Sequence, residues 1–151
     1  MVEVKVIKLP HYDSSFDLPF YATEGAAGAD IRASLQDKKS LTVKPGERLL
    51  VPTGLSMEIP VGFEIQVRPR SGLSLKSPLM IVNSPGTIDC DYRGEVNIII
   101  CNFGKEDYVI EHGLRIAQLV VAPVTQAKFM TTDSLSETQR GSGGFGSTGT
   151  R

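Results

Sequence analysis

Prolines and glycines punctuate Pro45-Gly-Glu-Arg-Leu-Leu-Val-Pro52-Thr-Gly54-Leu-Ser-Met-Glu-Ile-Pro60-Val-Gly62-Phe-Glu-Ile-Gln-Val-Arg-Pro69 at short intervals. Proline returns at 78 and 85, so a breaker recurs every seven to nine residues from position 45 onward. Glycines at 46, 54, 62, 72 and 86 shadow the prolines. Helices of ordinary length do not fit between such breakers, whereas short strands do. The segments between them agree. Phe63 to Val67 alternates apolar and polar residues, and Arg48 to Val51 and Leu79 to Val82 are short apolar runs.

Outside this stretch the same pattern continues. Val2 to Leu9 alternates apolar and charged residues, while Glu95 to Cys101 and Tyr108 to Ile110 are rich in β-branched side chains. Arg115 to Val124 ends in Leu-Val-Val-Ala-Pro and reads as a strand. Ser71 to Ser77 alone has room for a short helix, with Ser71 as its cap. The expected fold is all-β, a jelly-roll-like β-sandwich with one short helix and a flexible C-terminal tail. The 151 residues fit one domain, 1–139, followed by a Gly-rich segment, 140–151.

Composition narrows the function. Lys and Arg number 16 against 17 Asp and Glu, so the chain lacks the basic footprint of a general DNA or RNA binder. Any phosphate must be held locally. Cys90 and Cys101 form no C-x-x-C pair, and His11 and His112 have no zinc-ligand spacing. The N-terminus lacks the apolar core of a signal peptide, and no apolar run reaches the ~18 residues of a membrane helix. These features lead us to expect a soluble cytoplasmic protein with no nucleic-acid or membrane partner.

Five segments could carry chemistry. Ala26-Ala-Gly28-Ala-Asp30-Ile31 places an acid at the start of a strand after a Gly turn, a pattern that is often only structural. Pro69-Arg70-Ser71-Gly72-Leu73 ends a strand and opens the short helix, either as a capped turn or as an anion site of helix N–H groups, Arg70 and the Ser71 hydroxyl. Asn83 to Glu95 is a turn-rich link in which Asp89, at the mouth of a hairpin, could deprotonate water, or could be an ordinary solvated acid. Gly86 and Gly94 there would let backbone approach a ligand closely. Gln118, on an otherwise apolar strand, is either a satisfied core amide or a ligand contact. The tail from Arg140 imitates a phosphate loop but has no Lys and no following helix, so a Walker-type site is rejected. It is either a disordered tail or a strip whose N–H groups wrap phosphates, with Phe145 as a stacking plate.

Taken in order, these segments resemble the five motifs of the trimeric dUTPase family. Pro69-Arg-Ser-Gly-Leu73, Gly86-Thr-Ile-Asp-Cys-Asp-Tyr-Arg-Gly-Glu95 and the Arg140 tail carry most of the likeness. The resemblance implies a homotrimer with sites at subunit junctions and Mg²⁺-dependent hydrolysis of dUTP to dUMP and pyrophosphate. That activity would limit uracil incorporation into DNA and supply dUMP for thymidylate synthesis. It implies Asp89 as the base that activates water, Tyr92 against the deoxyribose, and Asn83, Thr87, Ile88 and Asn97 around the uracil. Arg70, Ser71, Gly72 and Gln118 would hold the phosphate chain, with Asp30 supporting hydrated Mg²⁺ through water. Arg140, Ser147 and Thr148 would meet the γ-phosphate, and Phe145 would cover the base.

Two positions depart from the family pattern. Cys90 stands where a small Ser or Ala is usual, and Leu114 where an acid usually precedes Arg115. Two other readings compete: the sister family of dCTP deaminases, which shares fold and trimer, and a non-enzymatic jelly-roll module that senses nucleotide.

Overall fold

Alternation along β9, Glu95–Asn102, organises the molecule. Val96, Ile98 and Ile100 are buried, whereas Asn97 and Ile99 between them are half-buried on the other face. The computed structural model describes residues 1–144 and Ser147. Before β9 run β1 (Lys5–Lys8), β2 (Phe20–Tyr21), β3 (Ala29–Arg32), a 3₁₀ turn (Gln36–Lys38) and β4 (Leu41–Val43). Then come β5 (Arg48–Glu58), β6 (Phe63–Arg68), the helix α1 (Ser71–Lys76), β7 (Leu79–Ile81) and β8 (Gly86–Ile88). After β9 follow β10 (Tyr108–Ile110) and β11 (Arg115–Pro123).

Among the described residues these strands form three antiparallel sheets. One has the order β1-β5-β9-β7, another β2-β3-β11-β6-β8, and β10 pairs with β4 alone. The two large sheets share one apolar core of Ile31, Leu55, Ile65, Val67, Ile88, Ile98, Ile100, Ile116 and Leu119. Each fully buried Ile or Leu contributes about 1.5–3 kcal/mol relative to exposure. This is the all-β, jelly-roll-like sandwich with one short helix that the strand pattern led us to expect. Asn102, fully buried, ties the small β10–β4 sheet to the core. Its amide donates to the carbonyls of Val43 and Glu106, both at 2.8 Å, and its oxygen accepts from Gly104 N–H.

Four local expectations need correction. β1 spans four residues, not eight, because it pairs with β5 only from Lys5 to Lys8. β5 runs eleven residues, past Pro52 and Gly54. It does so through a bulge: pairing with β9 shifts register between Pro52 and Ser56. Gly54 sits in the bulge at φ +70°, a conformation that suits glycine. Ser71 is not the cap of α1. Arg70 occupies that position with extended backbone and makes no side-chain capping bond. Finally, β8 and β9 do not form a ladder-paired hairpin: β8 pairs with β6 and β9 with β5 and β7, so the Asp89–Tyr92 turn carries the chain between sheets.

Candidate active site

The crossing from β8 to β9 shapes a cavity of about 290 Å³. Its walls include Asn83, Thr87, Ile88, Asp89, Tyr92 and Asn97, together with Leu50, Gly86, Glu95 and Ile99. Strand alternation explains the outer wall, since Asn97 and Ile99 share a face of β9, and Leu50 of β5 stands directly opposite Ile99. Asp89 is exposed at the rim and also borders a neighbouring cavity of about 480 Å³, with Cys90, Asp91 and Phe63.

Glycines here make room for side chains. A Cβ on Gly94 would lie 2.3 Å from the Tyr92 hydroxyl oxygen, and one on Gly86 would lie 2.9 Å from the Asn83 amide nitrogen. Both glycines thus serve packing within the chain, beside the close approach to a ligand expected of them. They let Tyr92 and Asn83 lie close against the main chain. The Tyr92 hydroxyl donates to the Glu95 carbonyl at 3.0 Å, and Asn97 Nδ2 donates to the same oxygen at 3.2 Å.

A second group gathers around Asp30. Pairing of β11 with β3 sets Gln118 opposite Asp30, and pairing with β6 sets it opposite Arg68. Asp30 is buried, and both its oxygens are engaged. Oδ1 accepts from Arg70 Nε at 2.7 Å, and Oδ2 from Arg115 Nη1 at 3.0 Å. Arg70 also donates to the carbonyl of Arg115. Gln118 donates to the Pro69 carbonyl at 2.9 Å, and its side chain packs so closely on Gly28 that a Cβ there would overlap it. Two guanidinium groups on one carboxylate leave one positive charge in excess, beside the exposed Ser71 and Gly72 at the start of α1. Such a patch suits phosphate oxygens. The acid that Leu114 does not supply to Arg115 comes from Asp30.

Arg140 and Ser147 form a third group. Arg140 Nε donates to the Gly143 carbonyl at 2.8 Å, and the two residues border a surface concavity with Thr138, Gln139 and Gly143. Phe145 and Thr148 lie outside the described residues. The structure thus brings the expected residues together in three groups. Neither Arg70 nor Gln118 is a wall of the cavity that holds Asn83, Asp89 and Tyr92.

Sequence reasoning missed Glu95 as a side chain of the site, and His11 with it. Glu95 Oε1 accepts from Gly54 N–H at 2.7 Å and from His11 Nε2 at 2.8 Å. No local pattern announces a contact across 84 residues.

Among the described residues no group of three or more His, Cys, Asp or Glu side chains could hold a metal ion by itself. Magnesium does not need such a cage, because it keeps waters and takes substrate phosphates. Asp30 fits that use. Each carboxylate oxygen has about two lone-pair sites, and each here has one guanidinium partner, so both can accept from a water of a hydrated ion.

The sequence model of the dUTPase family matches residues 14–149. The chain belongs to the dUTPase family. It is 60% identical over 140 residues to the deoxyuridine 5'-triphosphate nucleotidohydrolase of Chlamydia felis, covering 91% of this chain and 94% of that one. The Roseobacter denitrificans enzyme of the same name is 59% identical over 149 residues, covering 99% and 97%. Among solved structures, Staphylococcus bacteriophage 80alpha dUTPase with dUPNHPP superposes with a TM-score of 0.84 at 28% identity, covering 97% of this chain and 98% of that one. With the dUTPase family, this chain is a dUTP diphosphatase, an enzyme and not a passive sensor, and the deaminase alternative is set aside. No helix of the described residues is long and apolar enough to cross a membrane.

Proposed function

We propose that this dUTPase splits dUTP into dUMP and pyrophosphate in a Mg²⁺-dependent reaction, with water attacking the α-phosphorus. The observation that carries the reading is the cavity of about 290 Å³, where Asn83, Thr87, Ile88, Asp89, Tyr92 and Asn97 converge. Asn83, Thr87, Ile88 and Asn97 surround the uracil. A hydrogen-bonding pocket rejects cytosine, whose 4-amino group faces the wrong partner, and a snug one leaves no room for the thymine methyl. Tyr92 packs on the deoxyribose and fills the place of a 2′-hydroxyl. Asp89, the exposed acid at the rim, takes the proton of the attacking water.

Arg70, Ser71, Gly72 and Gln118 hold the phosphate chain, with Arg70 fixed by its bond to Asp30. Asp30 would hold a hydrated Mg²⁺ through water, and the ion would neutralise charge on the triphosphate. Arg70 and Gln118 are not walls of the cavity that holds Asp89, which supports a homotrimer whose sites form at subunit junctions. Residues 140–151 act as a lid apart from the 1–139 domain. There Arg140, Ser147 and Thr148 meet the γ-phosphate, and Phe145 covers the base. Closure excludes bulk water and aligns the phosphates. The enzyme works in the cytoplasm, keeping uracil out of DNA and supplying dUMP for thymidylate synthesis.

Hydrolysis in ¹⁸O-water tests the site of attack. The label should appear in dUMP and not in pyrophosphate. Label in pyrophosphate would place the attack at the β-phosphorus and remove Asp89 from the role given to it.

A further inference from the structure

The bulge in β5 does more than lengthen a strand. Leu9 N–H donates to the Gly54 carbonyl at 2.8 Å, and Tyr12 packs so closely on Gly54 that a Cβ there would lie 2.9 Å from Tyr12 Cα. The next residue after Pro10 is therefore held in place. The His11 carbonyl accepts from the hydroxyl of the fully buried Ser34 at 2.7 Å. With its backbone fixed, the His11 ring reaches Glu95, 84 residues away, at 2.8 Å. A carboxylate oxygen only accepts, so His11 Nε2 carries the proton and donates it to this bond.

Glu95 sits where this bond matters. Its Oε1 takes both His11 Nε2 and Gly54 N–H, which fixes its side chain. Its backbone carbonyl takes both the Tyr92 hydroxyl and the Asn97 amide. The same residue thus anchors the N-terminal segment on one side and two walls of the cavity on the other.

We propose that His11 is a positioning residue for nucleotide selection, acting through Glu95 on Tyr92 and Asn97. The inference rests on the reading of the cavity as the pocket for uracil and deoxyribose. His11 does not line that cavity. Its loss frees the Glu95 side chain on one of two anchors, loosens the carbonyl that holds Tyr92 and Asn97, and leaves Asp89 and the Asp30 cluster intact. The effect belongs in KM and in sugar selectivity, with kcat spared.

The test compares the full-length enzyme with His11→Phe, which keeps a ring and removes the donor, and His11→Gln, whose amide can donate again. For His11→Phe, KM for dUTP should rise by about 10-fold, kcat should stay within about twofold, and the kcat/KM ratio of dUTP over UTP should fall by about fivefold, as expected for a lost bond to a charged group. His11→Gln should restore most of the ratio. Should His11→Phe not fold, His11→Leu serves as the donor-less variant. Equal losses on dUTP and UTP with a lowered Tm and no rescue by His11→Gln would overturn the proposal and leave His11 a purely structural role. Tyr92→Ala is the control for the pocket. If it lowers the ratio while His11→Phe does not, the pocket reading stands and the role of His11 is refuted. If neither variant changes the ratio, the pocket reading fails and this inference falls with it.

Discussion

Arg70 donates from Nε to Oδ1 of Asp30 at 2.7 Å, across forty positions of sequence. Arg115 takes the other oxygen from the neighbouring strand, so one buried acid aims two guanidinium groups that would otherwise be free to move. An arginine at a phosphate site is useful only where its planar fork is held in register.

Asp30→Asn should therefore loosen Arg70 and Arg115 together. The variant should stay folded, lose about 1–3 kcal/mol of stability because the amide accepts from one guanidinium only and turns an N–H donor on the other, and bind dUTP more weakly. Thermal denaturation and the KM for dUTP check both parts. An unchanged KM would mean that neither arginine meets the phosphates.

Asp89→Asn should keep the fold and the affinity for dUTP, since the residue is exposed and the substitution is nearly isosteric. Turnover should fall by about 10²–10⁴-fold, the usual contribution of a positioned general base. Titration of nucleotide binding beside a steady-state rate separates the two effects. Near-normal kcat would remove Asp89 from the chemistry.

Gly94→Ala should resemble Tyr92→Ala, although residue 94 is given no contact with nucleotide. The added Cβ meets the Tyr92 hydroxyl oxygen at 2.3 Å, so the ring must move out of its place over the Glu95 carbonyl. Both variants should lower the preference for dUTP over UTP, measured as a ratio of kcat/KM. A selective Gly94→Ala enzyme would mean that Tyr92 can shift without admitting a 2′-hydroxyl.

Most of the strands were legible because turn residues bound them and β-branched runs fill them, as in Phe63–Arg68 and Glu95–Asn102. The full length of β5 is hidden in the sequence because Pro52 and Gly54 both read as breakers. In the fold a bulge absorbs them, and Gly54 N–H turns to Glu95 instead of a ladder partner. β2 and β4 went unseen because two or three residues carry no period. The cavity walls from Asn83 to Asn97 were legible because they fall within one motif, whereas Leu50 and Val67 join them only through strand pairing. The links from Arg115 to Asp30 and from His11 to Glu95 were not, since both depend on which strands become neighbours.

Acid should weaken the hold of Asp13 on the N-terminal segment. Lys38 Nζ lies 2.7 Å from Asp13 Oδ2, and this bond, followed by those from Ser15 and His112, holds the Asp13 carboxyl well below the usual carboxylate range. A carboxyl lowered in the folded state stabilises fully above the unfolded value of about 3.9 and progressively less as pH falls below it. Tm measured from about pH 6 to about pH 3 should drop less steeply in Asp13→Asn than in the parent chain. Parallel curves would show that Asp13 does not contribute to the acid transition.

Selective hydrolysis of dUTP is checked by pyrophosphate release across dUTP, dCTP, dTTP and UTP in the presence of Mg²⁺. One pyrophosphate and one dUMP should form for each dUTP consumed, with the other three nucleotides turned over far more slowly. Equal release from dCTP or UTP, or ammonia from dCTP without pyrophosphate from dUTP, would contradict it.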